Sequence, residues 1–434
     1  MTIDLAKKTR SFDSLEQAWR TIQQNGRNSK SDDIRHEIER FAEDASRNLR
    51  SVQHRLARRK FEFGKAKGVP IPKLDHRGHA TGKIRPIVVA PLEGRIVQRA
   101  ILNVLSEQPS LQSYIRTPYS FGGLKRSEIR KIDDNVTLSA VPAAIQCLLN
   151  EIARGARWIA AADISAFFTR VSKSSVLDIV RSGLPDQTEF NELLEAAVTV
   201  ELQNIQQLRN MKSQFPIEDI GVAQGNSLSP LLGNIALANF DSAMNSSDCR
   251  CIRYIDDFII LAPSKKAANA KLRQAKNLLG KLKMELSPEK SAIEATPIED
   301  GFEFLGIELS PGLIRPSATA RKNFIQKIDA ELELSKKALF GLKHGNSVPR
   351  ANSVTQTLKR IDGIIDGWGK HYWFCNDIQT FKDIDARIHR AVAAYLGAFG
   401  AIRSELPDAR KHLPLGFTEL SFRTKSSFKY PTNI

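Results

Sequence analysis

The chain of 434 residues contains only four cysteines, at 147, 249, 251 and 375. They are too few and too scattered for a disulfide framework or a four-thiolate zinc site, so buried thiols in a reducing compartment are expected. The opening Met1-Thr2-Ile3-Asp4-Leu5-Ala6-Lys7-Lys8 offers no apolar signal segment, and no apolar run approaches the length that spans a bilayer. These absences point to a cytoplasmic protein with no membrane partner. Internal repeats and low-complexity tracts are missing as well. Acidic residues are in deficit: 48 Asp and Glu stand against 64 Lys and Arg, a formal net charge of +16. Such an excess calls for an acidic partner, and nucleic acid is the usual one. At 41% hydrophobic the chain is long and apolar enough for two or three domains with sizeable cores.

The most informative feature present is Tyr254-Ile255-Asp256-Asp257, two carboxylates between apolar flanks. Cys251-Ile252-Arg253-Tyr254 before it and Phe258-Ile259-Ile260-Leu261 after it have the length and composition of strands, so a tight hairpin is expected to carry the acids at its tip. Successive residues of a strand point to opposite faces, and only a turn brings the first acid toward a site shared with the second. Two adjacent anions repel, and one pKa rises unless a cation such as Mg²⁺ or Mn²⁺ neutralises them.

An Asp-Asp pair alone is ordinary turn chemistry. The third carboxylate changes the reading: Asp163 ends the run Trp158-Ile159-Ala160-Ala161-Ala162, which reads as a buried strand, and is followed by Ile164 and by Phe167-Phe168. Carboxylates from separate strands can hold two metal ions about 3.5–4 Å apart, which activate an attacking hydroxyl and stabilise the leaving oxygens of an in-line phosphoryl displacement.

Around these acids runs an ordered series: Lys83-Ile84-Arg85-Pro86, Arg95, Gln98, Tyr119-Ser120-Phe121-Gly122, and Asp163-Ile164-Ser165-Ala166-Phe167-Phe168. Then come Gln224-Gly225-Asn226-Ser227-Leu228-Ser229-Pro230-Leu231-Leu232 with Asn234, the Tyr254 to Asp257 tetrapeptide, Lys290, and Phe304-Leu305-Gly306. The series resembles a bacterial reverse transcriptase of the group II intron, retron and defence-associated lineage. The resemblance implies an α+β right-hand polymerase with fingers, a ferredoxin-like palm and a helical thumb. It implies two Mg²⁺ ions, with Mn²⁺ as the alternative, held by Asp163, Asp256 and Asp257 and by the backbone carbonyl of Ile164. Lys83 and Arg85 would grip the incoming dNTP, Gln224 and Gly225 would lie beside the template and nascent base pair, and Lys290 would stand near the active site. Phe168, five residues after Asp163, would fill the space that a 2′-hydroxyl needs, which makes DNA the product. A strand alternating Phe167 and Phe168 across its faces would give the first ring to the core.

Along the chain, residues 1–60 read as a basic helical extension, 61–310 as interleaved fingers and palm, 311–400 as the thumb and 401–434 as a tail. Phe12, Leu15, Ala18, Trp19 and Ile22 have helical spacing, and Arg55, Arg58 and Arg59 crowd the end of the extension as phosphate contacts. The thumb is expected as three helices: the first carries Phe324, Ile328 and Leu332 with Arg321 and Lys322 as basic contacts and closes near Gly341 and Gly345. The second runs from about Val354 to Phe374 and the third from about Ile378 to Leu396. Trp368 and Tyr372 are expected in the core rather than on a base.

Several residues depart from the intron-type pattern: Ser165, Thr169, Ala223 and Gly123-Leu124 stand where Lys, Asp, Pro and Phe-Arg are common. No His/Cys cluster of a nicking endonuclease follows the thumb. The expectation is a stand-alone RNA-directed DNA polymerase that copies a noncoding RNA in antiphage defence, the alternative being an intron reverse transcriptase and maturase. Oligomeric state and priming group, with Tyr395 and Tyr430 among the candidates, are not legible.

Overall fold

The computed structural model describes residues 3–27, 29, 31–74, 80–123, 131–133, 136–344 and 346–417. Leu124, Gly345 and Tyr430, each singled out in the sequence, lie outside them. The chain forms two compact units, residues 1–297 and residues 298–434.

The first unit begins with four helices, α1 (Leu5–Thr9), α2 (Phe12–Arg27), α3 (Asp32–Glu43) and α4 (Ala45–Ala57). They do not form a separate extension. Leu15, Trp19, Phe41, Leu49 and Val52 are buried in the same core as the strand and helix residues that follow, because each helix has one apolar stripe and must cover it. Next come the antiparallel pair β1 (Lys67–Leu74) and β2 (Ala80–Val89), which carries Lys83 and Arg85, and the helix α5 (Leu92–Leu105). Pro70 faces Pro86 across the pair; a ladder of two strands tolerates them because each strand has an outer edge with no partner strand. Arg95 and Gln98 serve α5 as anchors: Arg95 pairs with Glu37 at 2.5 Å, and Gln98 donates to the Ala197 carbonyl at 2.9 Å.

After α6 (Gln112–Ile115), the short β3 (Lys131–Asp133) and β4 (Val136–Thr137), and α7 (Ala140–Ala153) comes a β-α-β-β-α-β module. Its strands are β5 (Trp158–Asp163), β6 (Arg250–Tyr254), β7 (Asp257–Ala262) and β8 (Thr296–Pro297), in the antiparallel order β6-β7-β5-β8. The helices α8 (Lys173–Gly183), α9 (Thr188–Val198) and α10 (Ser229–Met244) lie between β5 and β6 in sequence, and α11 (Lys265–Lys281) between β7 and β8. This is the ferredoxin-like order. Phe258, Ile259, Ile260 and Leu261 are all buried, so β7 is covered on both faces and reads as an unbroken apolar run. Helix α10 is mostly buried in the core, exposing Asn239 and Ser242, and is opened by Pro230 where the missing N–H costs nothing.

In the second unit, β9 (Phe302–Phe304), β10 (Ile307–Ser310) and β11 (Leu313–Pro316) form a three-stranded antiparallel sheet. The two-residue turn Leu305-Gly306, both at positive φ (53° and 75°), joins β9 to β10. Three helices follow, α12 (Ala318–Gly341), α13 (Val354–Tyr372) and α14 (Ile378–Ser404). Two expected boundaries move: the second helix stops at Tyr372, and the third continues two turns past Leu396. Phe302 to Ser310, read in sequence as the end of the palm, belongs to this unit. Trp368 stacks on Phe324, with ring centroids 4.3 Å apart and planes 13° from parallel, and Tyr372 packs beside it, so the aromatics serve the helical core. Among the described residues no helix is long and apolar enough to cross a membrane. Cys249 and Cys251 are buried and Cys147 and Cys375 half-buried, and none of the four is in a disulfide.

The pair Phe167-Phe168 lies in a short 3-10 turn, not in a strand as expected; Ala166, at φ 49°, breaks the extended chain first. The turn sends the Phe167 ring into the core against Gly233 of α10 and leaves Phe168 half-buried. A Cβ on Gly233 would lie 2.8 Å from Phe167 Cε1. Ala is the better helix former by about 1 kcal/mol, yet we expect Gly233→Ala to destabilise the first unit by about 1–3 kcal/mol through overpacking. A thermal midpoint equal to or above wild type would contradict this packing.

Candidate active site

The strands bring the three acids together by register. Asp163 ends β5 directly opposite Asp257, the first residue of β7, so their side chains share a face. Asp257 also pairs with Tyr254, which leaves Ile255-Asp256 as a two-residue turn with Asp256 beside the other two. Ile255 takes φ 61°, an unusual conformation for a β-branched residue. Gly122 makes room for this turn: a Cβ there would lie 2.7 Å from the Ile255 nitrogen. One carboxylate oxygen from each of Asp163, Asp256 and Asp257 lies within 4.8 Å of the others. An all-oxygen donor set of this kind suits a hard divalent cation.

The electrostatics fit that reading. Burial pushes the Asp257 carboxyl up to about 7, helped by its hydrogen bond with Asp163 and by the charges of Asp256 and Asp163. Burial, then the charge of Asp163, also raises Asp256. Three acids gathered without a cation therefore retain a proton near neutrality, and a divalent ion is the natural replacement for it.

The cation paired with the cluster comes from a segment laid along the end of β5. Ser287 N–H donates to the Asp163 carbonyl at 2.7 Å, Ser165 N–H to the Glu285 carbonyl at 2.8 Å, and Asp163 N–H to Ser291 Oγ at 3.2 Å. These bonds use the carbonyl of Asp163 and the N–H of Ser165, not the carbonyl of Ile164, which sits between them as the expected extra ligand. They set Lys290 Nζ 3.1 Å from Asp163 Oδ1. Burial pulls this ammonium down, but the Asp163 hydrogen bond and the three carboxylate charges outweigh it and hold its pKa above the ordinary value. Neighbouring Glu289 pairs with Lys83 of β2 at 2.6 Å.

Residues 71–309 match the family model described as reverse transcriptase (RNA-dependent DNA polymerase). The chain belongs to this family. It is 28% identical over 279 residues to Protein YkfC of Escherichia coli (strain K12), a match that covers 56% of this chain and 66% of YkfC, just under two thirds of that protein. Similar solved structures include a partial Cas6-RT-Cas1–Cas2 complex, with 22% identity, TM-score 0.34, and coverage of 64% of this chain and 43% of that one. Another is apo telomerase from Candida tropicalis, with 13% identity, TM-score 0.44, and coverage of 78% and 62%.

The remaining sequence-predicted residues of the reverse transcriptase site divide into two groups. Lys83 and Arg85 are exposed on β2, and Gln224 lines a cavity of about 720 Å³ with Ile84, Pro86, Ala166, Thr169 and Arg170. Phe168 is half-buried beside Phe167, ring centroids 5.2 Å apart. The close approach expected of Gly225 has a local cause: at φ 112°, its Cβ would lie 2.7 Å from the Val88 carbonyl oxygen, so glycine lets this loop seat on β2. The second group is engaged elsewhere. Arg55 pairs with Glu93 at 2.6 Å over the Phe61 ring, Arg59 with Glu189 at 2.9 Å, and Arg321 with Glu308 at 3.9 Å, while Arg58 and Lys322 are exposed. A pair as open to solvent as Arg59–Glu189 contributes at most about 1 kcal/mol.

Sequence reasoning missed Arg253, Asp241 and the serines that hold Asp163. Arg253 is fully buried and forks onto Asp241 at 2.6 and 2.7 Å. The available signal was a charged residue in the middle of an apolar strand next to the acidic turn.

The raised Asp257 carboxyl generates a prediction. Its folded pKa lies above an unfolded value of about 3.9, so the folded state loses stability as pH rises from about 4 through 7. Without metal, the thermal midpoint of Asp257→Asn should fall less than that of wild type between pH 5.5 and pH 8. Millimolar Mn²⁺ at pH 8 should raise the wild-type midpoint more than the variant's. Equal pH slopes in the two proteins would contradict the assignment.

Proposed function

We propose that the chain is an RNA-directed DNA polymerase that extends a primer with dNTPs on a noncoding RNA template, using two Mg²⁺ ions, for which Mn²⁺ can substitute. The observation that carries this reading is the gathering of Asp163, Asp256 and Asp257 within 4.8 Å by strand register, in a chain of the reverse transcriptase family. The ions, when bound, activate the primer hydroxyl and neutralise charge on the transferring phosphate. The chain's own groups do the rest. The three carboxylates and the Ile164 carbonyl fix the ions, and Lys83 and Arg85 take the triphosphate, the guanidinium by paired donors. The Phe168 ring excludes a 2′-hydroxyl, and Gln224 faces the nascent pair. Lys290 balances Asp163 until metal arrives.

Bacterial antiphage defence is the setting that best accommodates Ser165, Thr169 and Ala223, which depart from the intron pattern while the acids stay intact. The basic excess supplies the phosphate contacts for the RNA.

Primer extension by the full chain with Mg²⁺ tests the reading. Asp163→Ala and Asp256→Ala should each lose at least about 10³-fold in rate, since each removes a ligand from metal-based charge stabilisation of several kcal/mol. The metal-free thermal midpoint of Asp256→Ala should not fall, because it relieves burial of a charge and like-charge repulsion from Asp163. Substantial synthesis by Asp163→Ala would refute the site.

Sugar selection gives a second test. Phe168→Ala should reduce discrimination for dNTPs over NTPs by about tenfold or more. Unchanged discrimination in steady-state competition would remove Phe168 from this role.

A further inference from the structure

Among the described residues Arg253 is the largest side chain fully enclosed, and it ends beside the acidic turn. Burying a guanidinium costs several kcal/mol, repaid only where its donors are well used. Nε and Nη2 fork onto Asp241 at 2.7 and 2.6 Å, and Asp241 also accepts from Thr117 Oγ1 at 2.6 Å. Nη1 reaches Asn234 Oδ1 at 3.2 Å and donates to the Ile255 carbonyl at 2.7 Å. That last bond is the informative one. The Ile255 carbonyl belongs to the peptide that leads into Asp256, and Ile255 is the residue at φ 61°. On the far side of Asp256, its own carbonyl accepts from the Ile164 N–H at 3.0 Å. Both peptides that flank Asp256 are therefore tied down, one by a buried guanidinium and one by the residue after Asp163. The frame around them is also fixed: Asn234 Nδ2 donates to the Gly122 carbonyl at 2.9 Å, and Phe121 N–H to the Arg253 carbonyl at 2.9 Å.

We propose that Arg253 is a positioning residue: by bonding the Ile255 carbonyl while anchored on Asp241, it holds the turn in its left-handed conformation and aims the Asp256 carboxylate at Asp163. The inference rests on the polymerase reading for its consequence in catalysis, but its first effect is on metal affinity. A strained conformation persists only where surrounding bonds over-determine it, and groups that orient metal ligands are worth about 10–100-fold in affinity or activity.

The test separates this role from simple stabilisation of the fold. In the double variant Arg253→Met/Asp241→Val both charges go and the combined volume changes little, so the fold should survive with a thermal midpoint near wild type, as replacement of a buried pair by apolar groups of similar volume is often neutral. Its Mn²⁺ dissociation constant, measured by Mn²⁺ electron paramagnetic resonance without nucleic acid, should rise about tenfold or more, and its single-turnover rate should fall about 10–100-fold. The KM for dNTP should change much less, because Lys83 and Arg85 are untouched. Arg253→Lys supplies the second variant: it keeps a positive charge beside Asp241, but a single ammonium cannot reproduce the fork and the bond to Ile255, so the same losses are expected in smaller measure. Wild-type Mn²⁺ affinity and rate in a folded double variant would overturn the proposal. Were the double variant not to fold, wild-type values for Arg253→Lys would do so instead. Inactivity of the wild-type chain would refute the polymerase reading alone, since the Mn²⁺ measurement still decides the role of Arg253.

Discussion

Mutual repulsion among Asp163, Asp256 and Asp257 is the constraint on which the rest of the first unit depends. Three carboxylates whose oxygens come within 4.8 Å would separate in a flexible chain, yet here backbone geometry leaves them nowhere to go. Asp163 and Asp257 face each other because β5 and β7 are paired along six residues, and a one-residue slip would send one of them to the opposite face. β7 is locked in register by its buried Phe258 to Ala262. The site is thus a property of the sheet before it is a property of the acids.

Other elements carry the charge problem. A proton held on Asp257 near neutrality and the Lys290 ammonium on Asp163 offset the repulsion in the absence of metal. Under the proposed function, both are groups that a divalent cation would displace. The same logic reaches β2, where Lys83 rests on Glu289, the residue before Lys290. Under the proposed function, metal and triphosphate would each release one of two adjacent side chains on the same loop.

Much of this was legible in the sequence. The hairpin, its tip acids and the strand ending at Asp163 follow from composition and run length, and the ordered motifs led to the family that residues 71–309 confirm. What was not legible depends on contacts between distant segments. The left-handed Ala166 that diverts Phe167-Phe168 out of a strand leaves no periodic trace, and the bond network from Arg253 to Asp241 and Ile255 joins residues that no spacing rule relates. Charge runs misled in the opposite direction: Arg55, Arg59 and Arg321 read as free phosphate contacts, whereas each has a carboxylate within reach that lies far along the chain or on another element. Likewise Gly225, expected to lie beside the template, clears space for the Val88 carbonyl.

The central claim is that Asp163, Asp256 and Asp257 together hold the divalent ions that drive nucleotide addition. Anomalous diffraction at the manganese edge tests it most directly, on crystals of the chain with a terminated primer on RNA, a matching dNTP and Mn²⁺. Two manganese peaks within about 2.0–2.6 Å of the carboxylate oxygens are expected, with Lys290 withdrawn from Asp163. A bound dNTP with no manganese at the three acids, or with Lys290 still paired to Asp163, would contradict it.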